Sequence, residues 1–341
     1  MSEEPELRQD PISGEWVIIA PRRARRPHQY ATLQTPRRNQ PPYEASCPFC
    51  PGHEQCTPPA LQEIPAPDAP QRWAIRVVPN KFAALVSTGT GQQPGNAPLF
   101  PAMPGIGHHE VIIDSPTHNG FLPALSLTQA TLLVRTWRDR YRVLQRDTRV
   151  RHILLFKNHG ASAGASLVHP HTQLLASPVV PVAWQRRYEH TRQYFARHKR
   201  CLLCDLLRAE QITGTRLLCT YNGYVAYHPF ASRFPFEVWI VPHQHQACFS
   251  SLADAATEKC AQILQDVVGK VARALGDPDY NLIVHTAHTE QEANYYHWYI
   301  QLIPRLVPLA GVELGTGMTI NPVPPEEAVP VLHTPESSTN V

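Results

Sequence analysis

The sequence lacks both an excess of charge of one sign and a long uninterrupted apolar run. Its 31 lysine and arginine residues are nearly balanced by 28 aspartate and glutamate residues, which argues against nonspecific nucleic-acid binding as the main activity. No apolar run approaches the roughly 18 residues that a membrane-spanning helix needs, and the acidic, polar first residues do not resemble a secretory signal. We therefore expect a cytoplasmic protein with neither a nucleic-acid nor a membrane partner.

Cysteine is sparse for a disulfide-stapled protein, with eight residues in a chain of 341. In a reducing compartment, such cysteines indicate metal or redox roles rather than disulfides. Histidine is more frequent, with 18 residues, and hydrophobic residues make up 43% against 17% charged. The composition predicts a packed core in one large domain or two ordinary ones, and it makes histidine chemistry worth seeking.

Proline-rich segments divide the chain, and we predict loops where prolines cluster, including residues 63–72. Near the C-terminus, residues 320–340 suggest an extended arm followed by a loose tail. Between the proline clusters, the composition favours strands at Trp16–Ala20, Ala74–Val78, Glu110–Asp114, Ile153–Lys157, Glu237–Val241, Asn281–His285 and Tyr299–Ile303.

Two amphipathic helices are predicted, with Ser126 and Ser251 as their N-caps. Their apolar stripes consist of Leu133, Trp137, Tyr141 and Leu144 in the first and of Cys260, Leu264, Val267, Val271 and Leu275 in the second. Each helix has several strands before it and a further strand after it, and we take this order to indicate an α+β fold.

The order of elements indicates an internal duplication. A Cys-x-x-C pair opens each half, and strands, a histidine, an amphipathic helix and a histidine-bearing strand follow in each. His118 and His169 are 51 positions apart, and His245 and His297 are 52 apart. We therefore predict two tandem α+β units, residues 1–180 and 181–341, joined through the basic helical stretch around residues 181–200.

The duplication also predicts two metal sites. A Cys-x-x-C pair brings two thiolates onto one ion, and Zn²⁺ then requires two more nitrogen or sulfur ligands. The repeat supplies two Cys₂His₂ sets: Cys47, Cys50, His118 and His169, and Cys201, Cys204, His245 and His297. Buried small residues or a redox motif are the alternative for each pair. His53, His109, His243 and His285 are competing ligands on sequence grounds alone, and Cys56, Cys219, Cys248 and Cys260 lack a partner at ligand spacing.

The segment "SLVHPHTQLLASP", Ser166–Pro178, places three polar side chains at two-residue intervals. In an extended strand, His169, His171 and Gln173 would project from one face. With His169 fixed on a metal, His171 is held in place as a neutral imidazole, which can attack phosphorus and carry a nucleotidyl group. Gln173 can donate a hydrogen bond to a phosphoryl oxygen without giving a proton to water, which suits transfer better than hydrolysis. A core histidine beside an ordinary hairpin turn is the alternative.

The preceding run "FKNHGASAGAS", Phe156–Ser166, favours phosphate binding. Its glycines and small polar residues let backbone N–H groups approach an anion closely. The run lacks the lysine pattern of a P-loop. We expect a phosphate of the substrate to lie between this loop and His171.

These motifs, together with "DPISGEWVIIAPRRARRP" at 10–27, "CPFCPGHE" at 47–54 and "RVVPNKF" at 76–82, resemble the galactose-1-phosphate uridylyltransferase family of the histidine-triad superfamily. The resemblance extends from about residue 8 to 332. It implies ping-pong chemistry, a fold of two tandem histidine-triad-like units with antiparallel sheets packed with helices, zinc at the first metal set, and a homodimer. It also implies roles for particular residues: His171 as nucleophile, Gln173 on the transferred phosphoryl group, Asn158 and Ser166 on phosphate and nucleotide, Asn80 and Arg26 near the nucleotide, and Arg23 as a further phosphate contact.

The second half departs from the best-known branch of that family, in which histidines and a glutamate hold the second metal. Here Tyr299 and Gln301 follow His297, and the pair Cys201 and Cys204 offers thiolates. That layout resembles a related branch that includes plant ADP-glucose phosphorylase. There, the Gly315-Thr316-Gly317 turn is expected to cradle the sugar phosphate. Val307 and Thr319 stand where the uridylyltransferases have a lysine and a glutamine at the hexose end, so specificity for hexose and base stays open.

The resemblance predicts a nucleotidylyltransferase acting on a sugar nucleotide and a sugar 1-phosphate, with Zn²⁺ at two sites. Our first expectation is exchange of UMP between UDP-hexose and hexose 1-phosphate through uridylyl-His171. The alternative is an ADP-glucose phosphorylase that places AMP on His171 and uses inorganic phosphate as acceptor. A different class is a zinc-stabilised nucleotide- or RNA-binding module without turnover, which the basic stretch Trp184–Arg200 motivates.

Overall fold

The computed structural model describes residues 4–25, 40–88, 99–287 and 294–333. The strands are β1 (Glu6–Gln9), β2 (Trp16–Ile19), β3 (Gln62–Ala66), β4 (Ala69–Pro79), β5 (His108–Ile113), β6 (His152–His159), β7 (His171–Ser177), β8 (Leu217–Tyr221), β9 (Tyr224–Tyr227), β10 (Val238–Pro242), β11 (Tyr280–His285), β12 (Tyr299–Pro304) and β13 (Thr319–Asn321). The α-helices are α1 (Leu127–Gln145), α2 (Val182–His198), α3 (Leu202–Thr213), α4 (Asp254–Leu275), α5 (Gly311–Thr316) and α6 (Pro325–His333). The α+β class is confirmed, and all seven predicted strands are present.

A ten-stranded antiparallel sheet runs through both halves of the chain, in the order β3-β4-β5-β7-β6-β11-β12-β10-β9-β8. Five strands come from each half, and the two sets meet where β6 pairs with β11. Counted outward from this seam, β6, β7, β5, β4 and β3 correspond to β11, β12, β10, β9 and β8. The halves therefore share one continuous sheet, while β1, β2 and β13 form a separate small sheet.

Helices α1 and α4 pack against each other and cover one face of the large sheet. Helix α1 begins where predicted, because the Ser126 side chain accepts a hydrogen bond from the Gln129 backbone N–H. Its predicted stripe is buried, and so is most of the stripe of α4. Burial of these stripes against the sheet forms the main core.

Three local predictions were wrong. Helix α4 begins at Asp254 rather than after Ser251, because Ser251 ends a 3₁₀ turn that buries the flanking Phe249 and Leu252. The proline-rich residues 63–72 belong largely to β3 and β4, where β3 is an edge strand whose register shifts at Pro65. Residues 325–333 form α6 instead of an extended arm, with proline tolerated at the first helical position.

The opposite face of the sheet differs between the two halves. In the second half, α3 packs its leucines on β9, β10 and β12. In the first half, alternate side chains of β6 and β7 stay partly exposed, among them Phe156, Asn158, Gln173 and Leu175. This half-open strip carries the residues that the sequence singles out for chemistry.

Candidate active site and metal centres

The first predicted metal set converges in the structure. Cys47 and Cys50 lie in one tight turn, His118 follows β5 and His169 precedes β7. Their four ligand atoms lie within 4.8 Å of one another and all four residues are buried. The Sγ–Nδ1 distances are 3.5 Å for Cys50–His118, 3.6 Å for Cys50–His169 and 3.7 Å for Cys47–His169. Tetrahedral Zn²⁺ with sulfur at about 2.3 Å and nitrogen at about 2.0 Å implies about 3.5 Å between such atoms.

The protonation states at this cluster suit a cation. His169 donates from Nε2 to the Ser115 carbonyl oxygen at 2.8 Å, which leaves the Nδ1 lone pair facing the cysteines. Burial lowers the pKa of His169 to about 4, so this imidazole is neutral near pH 7. Burial raises the pKa of the Cys47 thiol to about 11, and a bound cation reverses that effect by stabilising the thiolate.

The second set converges as well, nearer to the surface. The four ligand atoms of Cys201, Cys204, His245 and His297 lie within 4.8 Å of one another, and His245 is exposed. The Cys204 Sγ atom is 3.2 Å from Nδ1 of His245 and 3.4 Å from Nδ1 of His297. The chain thus carries two Cys₂His₂ clusters able to hold a metal ion, one in each half.

The four competing histidines belong to neither cluster. His53 contacts the Cys47 carbonyl oxygen, His109 contacts Gln173, and His285 contacts Gln301; His243 is exposed. The remaining cysteines, Cys56, Cys219, Cys248 and Cys260, form no disulfides and lie outside the clusters. Of the larger pool of histidines and cysteines, the residues that converge are those that equivalence within the repeat had predicted.

His171 is the first residue of β7, and the residue is 6% exposed. Its Nδ1 atom lies 2.9 Å from the backbone carbonyl oxygen of His169 and donates to it. The lone pair therefore resides on Nε2, the nitrogen available for attack. Burial lowers the pKa of His171, which keeps the imidazole neutral. Phe49, from the cysteine turn, contacts the ring edge-on at 5.5 Å between centroids.

The strand geometry changes one detail of the prediction. His171 and Gln173 lie on the same face of β7, but His169 lies two residues before the strand begins. This placement turns the His169 ring toward the cysteines while its carbonyl holds the His171 ring. The Cys₂His₂ cluster and the imidazole of His171 are thus joined through the backbone.

A buried ion pair under the strand was not foreseen from the sequence. Lys157 Nζ is 2.6 Å from Asp114 Oδ2 and 3.2 Å from the His171 carbonyl oxygen. The other Asp114 oxygen accepts from the Thr172 hydroxyl at 2.9 Å. The sequence signal for this pair was a charged residue, Lys157 or Asp114, in each of two otherwise apolar strand segments. Such residues are buried only when they are paired with an opposite charge. These contacts fix the backbone on which His171 is mounted.

Gln173 is half-buried beside two other polar side chains. Its Oε1 atom accepts from His109 Nε2 at 2.9 Å and from Asn80 Nδ2 at 3.4 Å. The structure thus brings the predicted nucleotide contact Asn80 next to Gln173. Asn80 and His109 also line a cavity of about 770 Å³ with an apolar rim that includes Leu61 and Phe82, a size that accommodates a small ligand.

The predicted phosphate loop follows β6 and is anchored by the second half of the chain. Gly160 and Gly164 both have φ of 90°, a conformation that favours glycine. Asn281 donates to Asn158 Oδ1 at 2.9 Å and to the Ala163 carbonyl at 2.8 Å. Asp279 accepts from both the backbone and the hydroxyl of Ser162. Ser166 is exposed at the end of the loop.

The residues expected at the sugar-phosphate end are less clustered. Arg23 lines a second cavity, of about 590 Å³, together with Val307 and Thr319. Gly315, Thr316 and Gly317 are not among its lining residues. Instead of an independent turn they form the C-terminal end of α5, with Gly317 at φ 75°. A helix C-terminus presents carbonyl oxygens, so this end does not by itself favour phosphate. Arg26 lies outside the described residues.

Two solved structures share this architecture over nearly the whole chain. The crystal structure of an ADP-glucose phosphorylase from Arabidopsis thaliana with bound ADP-glucose matches with a TM-score of 0.83 and 34% identity, covering 96% of this chain and 98% of the other. A uridylyltransferase structure matches with a TM-score of 0.73 and 26% identity over 96% and 97% of the two chains. The protein is an enzyme of the nucleotidyl transferase class.

Sequence comparison identifies the family. The chain matches the N-terminal domain of galactose-1-phosphate uridyl transferase over residues 1–181 and the C-terminal domain over residues 187–313. ADP-glucose phosphorylase of Arabidopsis thaliana is 35% identical over 338 residues, covering 97% of this chain and 93% of that protein. Galactose-1-phosphate uridylyltransferase of Thermotoga maritima is 28% identical, covering 95% and 96%. The chain belongs to the galactose-1-phosphate uridylyltransferase family.

None of the helices in the described residues combines the length and the apolar character that a membrane span requires.

Proposed function

We propose that the protein transfers a nucleotidyl group through a covalent intermediate on His171, with phosphorolysis of ADP-glucose as the reaction. The observation that carries the proposal is the His171 ring, whose Nδ1–H is bound to the His169 carbonyl so that Nε2 is free. The adenine preference draws on the similarity to ADP-glucose phosphorylase over nearly the whole of both chains.

In the first step, Nε2 of His171 attacks the α-phosphorus of ADP-glucose. A phosphorus–nitrogen bond forms, the bond from that phosphorus to the bridging oxygen breaks, and glucose 1-phosphate leaves with the electron pair. The hydrogen bond from Nδ1–H to the His169 carbonyl stabilises the positive charge that develops on the ring. Adenylyl-His171 remains on the enzyme.

In the second step, an oxygen of inorganic phosphate attacks the same phosphorus. The phosphorus–nitrogen bond breaks, the electron pair returns to Nε2, and ADP leaves. Gln173 and Asn158 present amide groups near the reacting centre, and neither group can take a proton from water at neutral pH. The site therefore lacks an evident general base for hydrolysis among its described residues, which favours a phosphate acceptor over water.

We assign zinc to both Cys₂His₂ clusters, because mixed thiolate and imidazole ligands in tetrahedral spacing select this ion among the abundant divalent metals. Four protein ligands would close the coordination shell, so a zinc ion there would supply structural cross-linking and take no part in the chemistry. In the first half, Cys47, Cys50, His118 and His169 would hold the ion and with it the peptide whose carbonyl orients His171. In the second half, an ion held by Cys201, Cys204, His245 and His297 would tie α3 to β12.

Exchange of UMP between UDP-hexose and hexose 1-phosphate is the second candidate. The family profiles and the 28% identical Thermotoga uridylyltransferase favour it. The same His171 would carry UMP, with a sugar 1-phosphate as acceptor. The relatives lend no support to a non-catalytic RNA-binding module. A homodimer, expected from the resemblance, stays a prediction that sedimentation of the purified protein would test.

The deciding experiment offers the protein ADP-glucose or UDP-glucose carrying ³²P in the α-phosphate. After a rapid quench, the protein-bound nucleotide is released by acid and identified by chromatography. We expect AMP on the protein, discharged as ADP when unlabelled inorganic phosphate is added. UMP on the protein, discharged by galactose 1-phosphate, would replace the proposal with the second candidate.

A further inference from the structure

The amide of Gln173 is held in one orientation by groups outside its own strand. Its Oε1 atom accepts two hydrogen bonds, one from His109 Nε2 at 2.9 Å and one from Asn80 Nδ2 at 3.4 Å. These two nitrogens lie 3.2 Å apart, as expected for donors that share an acceptor. With its oxygen occupied, Gln173 has its NH₂ group left to offer.

The tautomer of His109 follows from its other nitrogen. The backbone N–H of Ala84 donates to His109 Nδ1 at 3.1 Å. A nitrogen that accepts a hydrogen bond carries a lone pair, so in the neutral ring the proton resides on Nε2. His109 is therefore a donor toward Gln173, and the two amide ends of Gln173 are not interchangeable.

Sheet geometry makes this contact specific. His109 lies on β5 and Gln173 on the neighbouring β7, with Val111 opposite Gln173 and Leu175 opposite His109. The two residues are diagonal neighbours on the half-open face, within reach of each other's side chains. The duplicated half has Gln301 at the position of Gln173, but there its Nε2 donates to Glu237 and its Oε1 accepts from His285. Gln301 therefore has both its oxygen and one of its N–H groups occupied within the protein, whereas no hydrogen bond among the described residues occupies the NH₂ group of Gln173.

We infer that His109 is a positioning residue, which fixes the Gln173 amide so that its NH₂ group donates to the transferred phosphoryl group. This inference rests on the proposed function. Phosphoryl oxygens only accept hydrogen bonds, so a Gln173 amide turned by 180° would present its oxygen to them and repel them. His109 acts through Gln173 and does not contact the reacting atoms.

The test is a double-mutant cycle, read as the single-turnover rate at which ADP-glucose carrying ³²P in the α-phosphate labels His171. His109→Met removes the donor at similar volume, and we expect about a tenfold slower rate, typical of a hydrogen bond that acts on a charged group. His109→Gln can place its own NH₂ near the former Nε2 position, and we expect it to stay within about threefold of the unmodified protein.

Gln173→Ala provides the background that separates positioning from a general structural role. In that background, His109→Met should slow labelling by less than about twofold, because the group through which it acts is gone. A full tenfold loss in both backgrounds would overturn the inference, as would a His109→Gln protein as slow as His109→Met. Melting temperature and zinc content, unchanged in all variants, confirm that folding is preserved.

The cycle also distinguishes the positioning role of His109 from the proposed function. If the unmodified protein becomes labelled on His171 and His109→Met is labelled equally fast, the positioning role is wrong and the proposed function stands. If the unmodified protein takes no label from ADP-glucose or from UDP-glucose, the proposed function is wrong and the inference falls with it.

Discussion

The Nδ1 nitrogen of His171 lies 2.9 Å from the carbonyl oxygen of His169, while the His169 ring faces two cysteines across a metal-ligand spacing. One short peptide thus serves two purposes. Its first histidine belongs to the Cys₂His₂ cluster, and its backbone orients the second histidine. This relationship explains why the two histidines are separated by a single proline, which adds rigidity to the segment.

Replacing the nucleophile should separate chemistry from folding. We expect His171→Gly to abolish nucleotide exchange, because no other described side chain occupies its place, while metal content and melting temperature stay near those of the unmodified protein. Exchange assays with ADP-glucose and UDP-glucose, together with elemental analysis, provide the measurement. Full activity in this variant would remove His171 from the mechanism.

The first metal cluster should be coupled to stability. Cys47→Ser removes one ligand of a buried cluster, so we expect loss of about one zinc per chain and a lower melting temperature. Cys56→Ser is the matched control, because Cys56 is an exposed free thiol outside the clusters. Mass spectrometry under native conditions gives the metal count. Equal zinc content and melting temperature in the two variants would refute this site.

Removing one partner of the Lys157–Asp114 ion pair should destabilise the protein more than removing both. Lys157→Met leaves the Asp114 carboxylate buried without its cationic partner, and we expect the free energy of unfolding to fall by about 3–5 kcal/mol. Lys157→Met combined with Asp114→Leu removes both charges and should recover more than half of that loss. Urea denaturation gives the values. A double variant that loses the sum of the single effects would contradict this account of the pair.

The phosphate loop should depend on the donor at Asn281. Asn281→Asp can no longer donate to Asn158, so the Asn158 amide would turn its NH₂ group away from the loop and its oxygen toward the substrate. We expect about a tenfold slower labelling of His171. Asn281→Leu removes the donor without adding charge and should be less harmful. If the leucine variant is the slower one, packing rather than amide orientation governs this position.

Much of the fold was predictable because it rests on local patterns. The period-2 strands and the 3.6-residue stripe of α1 are set by which side chains must be buried, and that information lies within each segment. Both Cys₂His₂ clusters were predictable for a different reason. The duplication placed equivalent residues at equivalent positions, which indicated the members of each cluster without knowledge of the pairing of strands.

What the sequence did not reveal depends on tertiary contacts. The pairing of β6 with β11 joins the halves into one sheet, and no local sequence pattern predicts this pairing. The partners of the two amides are likewise remote, since His109 is 64 positions from Gln173 and Asn281 is 123 from Asn158. The start of α4 was misplaced because burial of Phe249 and Leu252 outweighed the capping preference of Ser251.

The Nε2 nitrogen of His171 is expected to become bonded to a nucleotide's phosphorus during turnover. Mass spectrometry of the protein after brief mixing with ADP-glucose, followed by peptide mapping under conditions that preserve phosphorus–nitrogen bonds, tests this directly. We expect a mass increase of one AMP residue on the peptide containing His171, lost on addition of inorganic phosphate. An unmodified His171 in a protein that is turning over ADP-glucose or UDP-glucose would contradict it.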